Sequence, residues 1–315
     1  MTGYIIRRLA LMVPTFIGIT VLVSLVVRLL PGSVIDIMLG EQGYAEGDRE
    51  RLERELGLDR PWPVQYWDWM WGVLRGDLGE SLRTGRSIGG ELKVRLPTTL
   101  ELAGMALAMS LIMAIPVGIV SAARQDSPVD YLARSFAIGA LALPGFWLAT
   151  LVVVWPAIWW DWTPPIFYVD LWEKPLKNLA HMWLPALLLS LYVAGYTMRM
   201  IRSMMLEVLR QDYIRTAWAK GLRERAVVVR HALKNALIPV VTIIGLQIPI
   251  LVGGAVVFEM IFVIPGVGRY LMDAVLRRDY TVLQGINLVM AGIVMVSNLV
   301  VDVMYSYLDP RVRVA

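Results

Sequence analysis

The chain has 315 residues, of which 57% are hydrophobic and 18% charged, with a mean hydropathy of +0.60; this balance lies outside the soluble globular range. That length would be ample for a soluble core, but the apolar residues come in blocks, which points to a membrane protein. The absence of cysteine excludes disulfides, thiolate chemistry and a cysteine-ligated metal, and His181 and His231 alone leave little material for a metal cage or a histidine-based triad. A net charge of +4 with a pI near 9.3 gives no argument for nucleic acid, and the basic residues are better explained by topology.

The first apolar run, 9–27, follows Arg7-Arg8 as a signal peptide would. It is long enough to span, however, and no small-x-small cleavage site follows it, so it reads as an uncleaved first helix. Residues 47–60, GDRERLERELGLDR, read as a short charged helix ended near Gly57 and Pro61. Trp62, Trp67, Trp69 and Trp71 come next, and Trp155, Trp159, Trp160 and Trp162 cluster later. Such residues anchor at headgroup level, the alternative being a stacking platform for sugars or bases.

A spanning helix needs about 20 predominantly apolar residues. Uncharged runs of that length fall at 9–27, 102–123, 135–160, 178–198, 236–258 and 281–301. Six spans put both termini on one side. With the termini inside, short inner segments carry fifteen Lys and Arg, nine of them in 199–235, and short outer loops carry five besides Arg28. Segment 31–97 adds nine basic and twelve acidic residues, but long loops translocate whatever their charge. Both ends are therefore expected in the cytoplasm. The expected division is an N-terminal transmembrane helix at 1–30, an extracytoplasmic insertion at 31–97 and a core of five spans at 98–315. No internal repeat or flexible linker interrupts it.

The sequence contains no phosphate-cradling G-x-x-x-x-G-K-[S/T], no H-E-x-x-H and no G-x-S-x-G. No catalytic residue, cofactor or metal ligand is expected. Ionisable groups within spans invite a functional reading. Glu101, Glu259 and Asp302 lie near span ends, where paired structural groups are the commoner outcome, with Asn298 one turn before Asp302 as a capping group. A proton- or sodium-driven carrier would place carboxylates or broken helices near the midplane, and none is read here. His181 is expected at the outer interface of the fourth span and His231 in a basic loop.

That loop, 211–239, reads QDYIRTAWAKGLRERAVVVRHALKNALIP. On a helical wheel Tyr213, Ala217 and Gly221 form one line, with Ile214, Trp218 and Leu222 beside it and Arg215, Thr216, Ala219, Lys220 and Arg223 opposite. Small residues on the apolar face would admit a partner's backbone, and Gly221 would cap the helix. The other reading is a basic segment resting on lipid headgroups.

The wording D-Y-I-R-T-A-x-A-K-G-L followed by R-H-A-L-x-N-A-L-x-P resembles the cytoplasmic loop of ATP-binding cassette importer permeases, in the dipeptide/oligopeptide/nickel branch. Ala217, Gly221 and Leu233 match the general loop pattern. Arg215 and Thr216 depart from its Glu-Ala, and His231 and Lys234 depart from its later element. GLDRPWPVQYWDWMWGVLRGDLGESLRTG (57–85), RLPTTLEL (95–102), FEMIFVIPGVGRYL (258–271), RRDYTVLQG (277–285) and NLVVDVMYSYLDPRVR (298–313) are each similar to blocks of that branch. They fall in the family's order, as does the opening YIIRRLALMVPTFIGIT.

The resemblance implies an all-α polytopic bundle of six spans with the type I importer permease fold, of the first-permease type. It also implies a subunit that binds no ATP and works with a second permease subunit, two cytosolic ATPases, an extracytoplasmic substrate-binding protein and membrane lipid. The coupling loop would be 204–235, with Tyr213, Ala217, Lys220, Gly221 and Leu222 meeting an ATPase. Di- or oligopeptides are the expected cargo, and nickel chelates or glutathione the alternative. A stand-alone secondary transporter and a membrane enzyme are the competing classes. The first would show midplane charges and inverted repeats, the second a His, Cys or acidic cluster at one membrane face.

Overall fold

The computed structural model describes residues 2–29, 35, 36, 39 and 49–308. The rest of segment 31–97 and the tail with Arg311 and Arg313 lie outside the described residues. Apart from an isolated bridge between Glu80 and Ser87, the described residues form helices and the turns joining them. In chain order these are α1 (Thr2–Leu29), α2 (Arg49–Glu55), α3 (Trp62–Leu74), α4 (Ile88–Ala123), α5 (Pro128–Ala142), α6 (Gly145–Trp160), α7 (Pro175–Leu209) and α8 (Asp212–Ala219). A π-helical segment (Ala226–Leu233), α9 (Lys234–Ile261), α10 (Val267–Arg277) and α11 (Tyr280–Leu308) complete the series.

Five helices are long and apolar enough to cross a membrane, and the pair α5 and α6 makes a sixth if counted as one span. The runs at 9–27, 102–123, 178–198, 236–258 and 281–301 all fall inside single helices. The run 135–160 does not: it was expected as one helix and is two, bent by 92°. Proline at 144 removes the N–H that would close the turn and pushes the preceding residue out of the helical region. Leu143 accordingly sits at φ −89°, ψ 126° and Pro144 at φ −62°, ψ 126°. The charged segment read near 47–60 forms α2, braced by Arg49–Glu53 and Arg51–Glu55 contacts of 3.2 and 2.8 Å. It is followed by Gly57 at φ +65°.

Packing divides the chain into two compact units, whereas the three-part division read from the sequence follows sides of a membrane. One unit comprises Leu100–Ile264 with the stretch from Ser297; the other comprises Thr2–Thr99 and Pro265–Val296. In the first, α7 is the central helix, with α5 and α9 as its main neighbours. Lipid supplies no hydrophobic force between helices, so close backbone approach and polar bonds hold such a bundle. Ala133, Ala137 and Ala140 form a buried small-residue row on α5. A Cβ added to Gly195 of α7 would lie 2.9 Å from the Ala137 carbonyl oxygen and 3.1 Å from the Ala140 Cβ. No larger residue fits there.

The polar fastener of this unit is Asp130, which is fully buried. Arg202 of α7 grips it with two bonds of 2.7 Å, Nε to Oδ1 and Nη2 to Oδ2. Ser121 of α4 donates to Oδ1 at 2.5 Å, and the Asp126 N–H donates to Oδ2 at 3.0 Å. Ser127 caps α5, accepting the Asp130 N–H at 3.3 Å, with Pro128 next. One carboxylate thus joins the end of α4, the turn after it, the first turn of α5 and the C-terminal part of α7. The sequence reading overlooked both residues: Asp130 was passed over in a short loop and Arg202 entered only as a topological charge.

The second unit uses the same device. Asp279, buried, accepts from Ser81 Oγ at 2.6 Å, Thr281 Oγ1 at 3.1 Å and the Leu82 and Val282 N–H groups at 3.3 and 3.4 Å. It fastens the turn before α4 to the start of α11. Ile88, Leu92, Val267, Val282 and Ile286 form the apolar core beside it.

Removing one partner of a buried ion pair costs about 3–5 kcal/mol, because the other charge is stranded. Asp130→Ala is therefore expected to lower folded protein in membranes and its melting temperature in detergent sharply. Asp130→Leu combined with Arg202→Met should lose much less. Equal losses in single and double variants, measured by fluorescence-detected gel filtration after heating, would deny the pair its role.

Candidate functional site: the loop helix and the buried polar residues

α8 begins at Asp212 after Gln211, in extended backbone at φ −77°, ψ 152°. It ends in a complete Schellman arrangement. The Gly221 N–H donates to the Trp218 carbonyl at 2.9 Å, and the Leu222 N–H to the Ala217 carbonyl at 3.4 Å. Gly221 holds φ +73°, a left-handed conformation that costs a residue with a Cβ about 1–2 kcal/mol. The cap expected from the sequence is therefore present.

The face that α8 presents differs from the expected one at Ala217. Ala217 was read on the outward docking face, yet it is buried, as is Ile214. Both join the core formed by Met205, Val208, Val227, Val228 and Ala232. A wheel shows which residues share a face, but not which face meets the rest of the chain. Ile214, the bulkiest aliphatic of the helix, takes the inner position and Ala217 follows it one turn later. The exposed surface includes the large apolar side chains Tyr213 (40%), Trp218 (46%) and Leu222 (38%), with Lys220 and Gly221 at the tip and Asp212, Arg215, Thr216 and Ala219 also exposed.

Beyond Arg225 the chain forms the π-helix, an i→i+5 arrangement that is rare and frequently found at functional sites. It packs on α7, α8 and α9. His231, read as a loop residue, is half-buried in it. Asn235, at the start of α9, donates to the Tyr213 hydroxyl at 2.8 Å and ties the two ends of the loop together.

The other named residues are dispersed. Glu101 accepts from the Tyr168 hydroxyl at 3.1 Å. The Tyr168 ring meets His181 edge-on, with centroids 6.2 Å apart. His181 is 2% exposed, so it packs in the core, near the start of α7. Asn178 donates to the Val169 carbonyl at 3.0 Å. Glu101 Oε1, Asn178 Oδ1 and both His181 nitrogens are buried, with the Asn178 side chain beside Glu101 and the Phe262 backbone beside His181. Glu259 is fully buried, and its carbonyl accepts the Ile264 N–H at 2.9 Å where α9 ends. Asn298 is exposed on α11 and Asp302 half-buried there.

In the second unit a cavity of about 170 Å³ is lined by Arg83, Arg86, Arg95 and Arg277 together with Glu91 and Asp273. Arg95 lies 4.8 Å over the Tyr270 ring and 2.9 Å from Glu91. Burial, with Asp279 and Glu91 nearby, pushes the Tyr270 hydroxyl up to about 12, so it stays protonated.

A bundle of apolar helices that exposes a short, firmly capped helix between two of its spans is the architecture of a transport permease. The chain belongs to the family of binding-protein-dependent transport system inner membrane components, which it matches over residues 114–314, with that family's N-terminal region matching 1–103. It is 40% identical over 336 aligned positions to the dipeptide transport system permease protein DppB of Escherichia coli strain K12, covering 99% of each chain. It is 41% identical to the protein of the same name from Alkalihalophilus pseudofirmus, covering 99% of this chain and 100% of that one. A crystal structure of an amino acid ABC transporter with histidines superimposes with a TM-score of 0.53 at 13% identity, over 70% of this chain and 94% of that one. The shared fold is thus that of a type I importer permease.

Ala217→Asp would leave a carboxylate in a closed apolar core, and abundance and melting temperature are expected to fall with it. Lys220→Asp, on the exposed tip, should leave both near the wild-type values. Equal abundance of the two variants on immunoblots of membranes would place Ala217 at the surface instead.

Proposed function

We propose that this chain is one of two permease subunits of an ATP-driven importer of di- and oligopeptides. It forms the translocation pathway with its partner, hydrolyses nothing itself and receives solute from an extracytoplasmic binding protein. The observation that carries this reading is the end-to-end 40% identity to a dipeptide permease. The missing phosphate loop agrees with hydrolysis on separate subunits.

In this reading α8 is the coupling helix. Tyr213, Trp218, Lys220, Gly221 and Leu222 meet a groove on a cytosolic ATPase, and Ile214 and Ala217 anchor the helix from behind. Closure of the ATPases pushes α8. The push passes through the π-helix and the Ile214 contact into α7 and α9, because packed cores transmit displacement with little compression. Glu101, Glu259, Asn298 and Asp302 act as structural groups within the spans. The orientation has both termini and α8 inside.

Two experiments test the reading. In a strain lacking its own peptide importers, the chain expressed with its neighbouring transport genes should restore uptake of labelled dipeptides. Trp218→Ala should reduce that uptake at least about tenfold at normal abundance, since a central tryptophan contributes 2 kcal/mol or more to an interface. Full uptake by this variant would remove α8 from the coupling route. Orientation is read from single cysteines in the cysteine-free chain. A cysteine at 174 should react with an impermeant maleimide in sealed cells, and one at 224 should not.

A further inference from the structure

The break between α5 and α6 opens onto a cavity of about 400 Å³, closed on its other sides by α7 and α9. Two properties of this cavity identify its occupant.

The first is the state of the backbone. In an unbroken helix the Ala140 carbonyl would accept from residue 144, but that residue is proline and has no N–H. Leu143 N–H makes the last regular bond of α5, to Gly139 at 3.1 Å, and the Trp147 and Leu148 N–H groups both take the Pro144 carbonyl, at 3.1 and 3.2 Å. The terminal carbonyls of α5 and the N–H groups of Gly145 and Phe146 thus have no helical partner. Backbone in this state does not face lipid; within a bilayer it is tolerated only where protein covers it or where it borders an aqueous cavity. Here it borders a cavity.

The second is the lining. Every side chain around the cavity is apolar except the Tyr192 phenol, and none is charged. Leu143, Phe146, Tyr192 and Ile250 are 43%, 56%, 47% and 49% exposed. The volume falls within the range of small-molecule sites, roughly 300–1,000 Å³. Apolar walls with unpaired amide groups at one edge suit a ligand that is itself apolar in its side chains and amide in its main chain.

We propose that the cavity at the α5–α6 break is a contact site of the translocation pathway. It receives an apolar side chain of a peptide in transit while the peptide's main-chain amides pair with the open backbone at 140–146. This rests on the peptide-importer reading and adds a place and a selectivity to it. With no charge in the lining, the site sorts peptides by side-chain size and not by charge.

The test uses the complete importer, with its binding protein and ATPases, in proteoliposomes. Leu143→Trp narrows the cavity from a position already outside helical geometry. The ratio of dileucine to dialanine uptake should fall about tenfold, the discrimination a hydrophobic pocket gives for modest differences in bulk. Ile158→Trp, on α6 but outside the cavity, should leave the ratio as in wild type. In parallel, Leu143→Cys should react with a charged methanethiosulfonate reagent, and dileucine with the binding protein should slow that reaction. An unchanged uptake ratio in Leu143→Trp would overturn the proposal. So would a thiol at 143 that is inert to the charged reagent, whether lipid or the second subunit covers it. Should Leu143→Trp fail to accumulate, the cysteine measurement decides alone. A wild-type importer that carries neither dipeptide refutes the peptide reading itself, and the site falls with it. Normal dipeptide uptake with an unshifted ratio refutes only the site.

Discussion

The bundle around α7 hangs on one buried carboxylate. Asp130 has each oxygen bonded twice, to the two arms of Arg202, to Ser121 and to the Asp126 amide. A charge in a low-dielectric interior is tolerated when paired and fully bonded, and is a large penalty otherwise. The four donors come from two helices and a turn and converge on a third helix, so none of these elements moves far without stranding the charge. The small-residue row on α5 lets its backbone approach α7 closely at Gly195, and the bidentate geometry of Arg202 adds a directional bond that fixes the register. Asp279 does the same in the other unit with neutral donors.

Proline within the apolar runs has two outcomes, and their contrast is physical. Pro14, Pro156, Pro185, Pro239 and Pro249 all sit inside continuous helices, where surrounding helices and small adjustments absorb the lost bond. Pro144 alone among these ends one helix and begins another at a right angle. It is followed by Gly145, where a Cβ would lie 3.3 Å from Phe258. The absence of a side chain there lets α6 start close against α9.

Much of the fold was legible in the sequence, because apolar runs the length of a bilayer have few other fates. Five helices cover the expected runs, and the sixth run is the right stretch of chain. Its break was hidden because hydropathy continues unchanged through 142–145, and the other prolines show that proline alone does not signal one. The fastening aspartate had a local signature: Ser127-Pro128-Val129-Asp130 is a helix start with a cap and an acid at the third position. Its partner lies 72 residues away, beyond the reach of any local pattern. For α8 the glycine cap was readable from one residue type, while the inward turn of Ala217 was not. That orientation is decided by Met205, Val208 and Val228, which belong to other segments.

The π-helix between α8 and α9 bears on how such loops diverge. Its turns hold more residues than those of the α-helix into which it runs, so it stores surplus chain within an ordered, packed segment. Loss of one residue between 226 and 233 would let the segment relax toward ordinary α-helix while its two ends stay joined. Chain length is therefore less strictly constrained there than in the rigid spans on either side, and a one-residue change in length need not detach the exposed helix from the bundle.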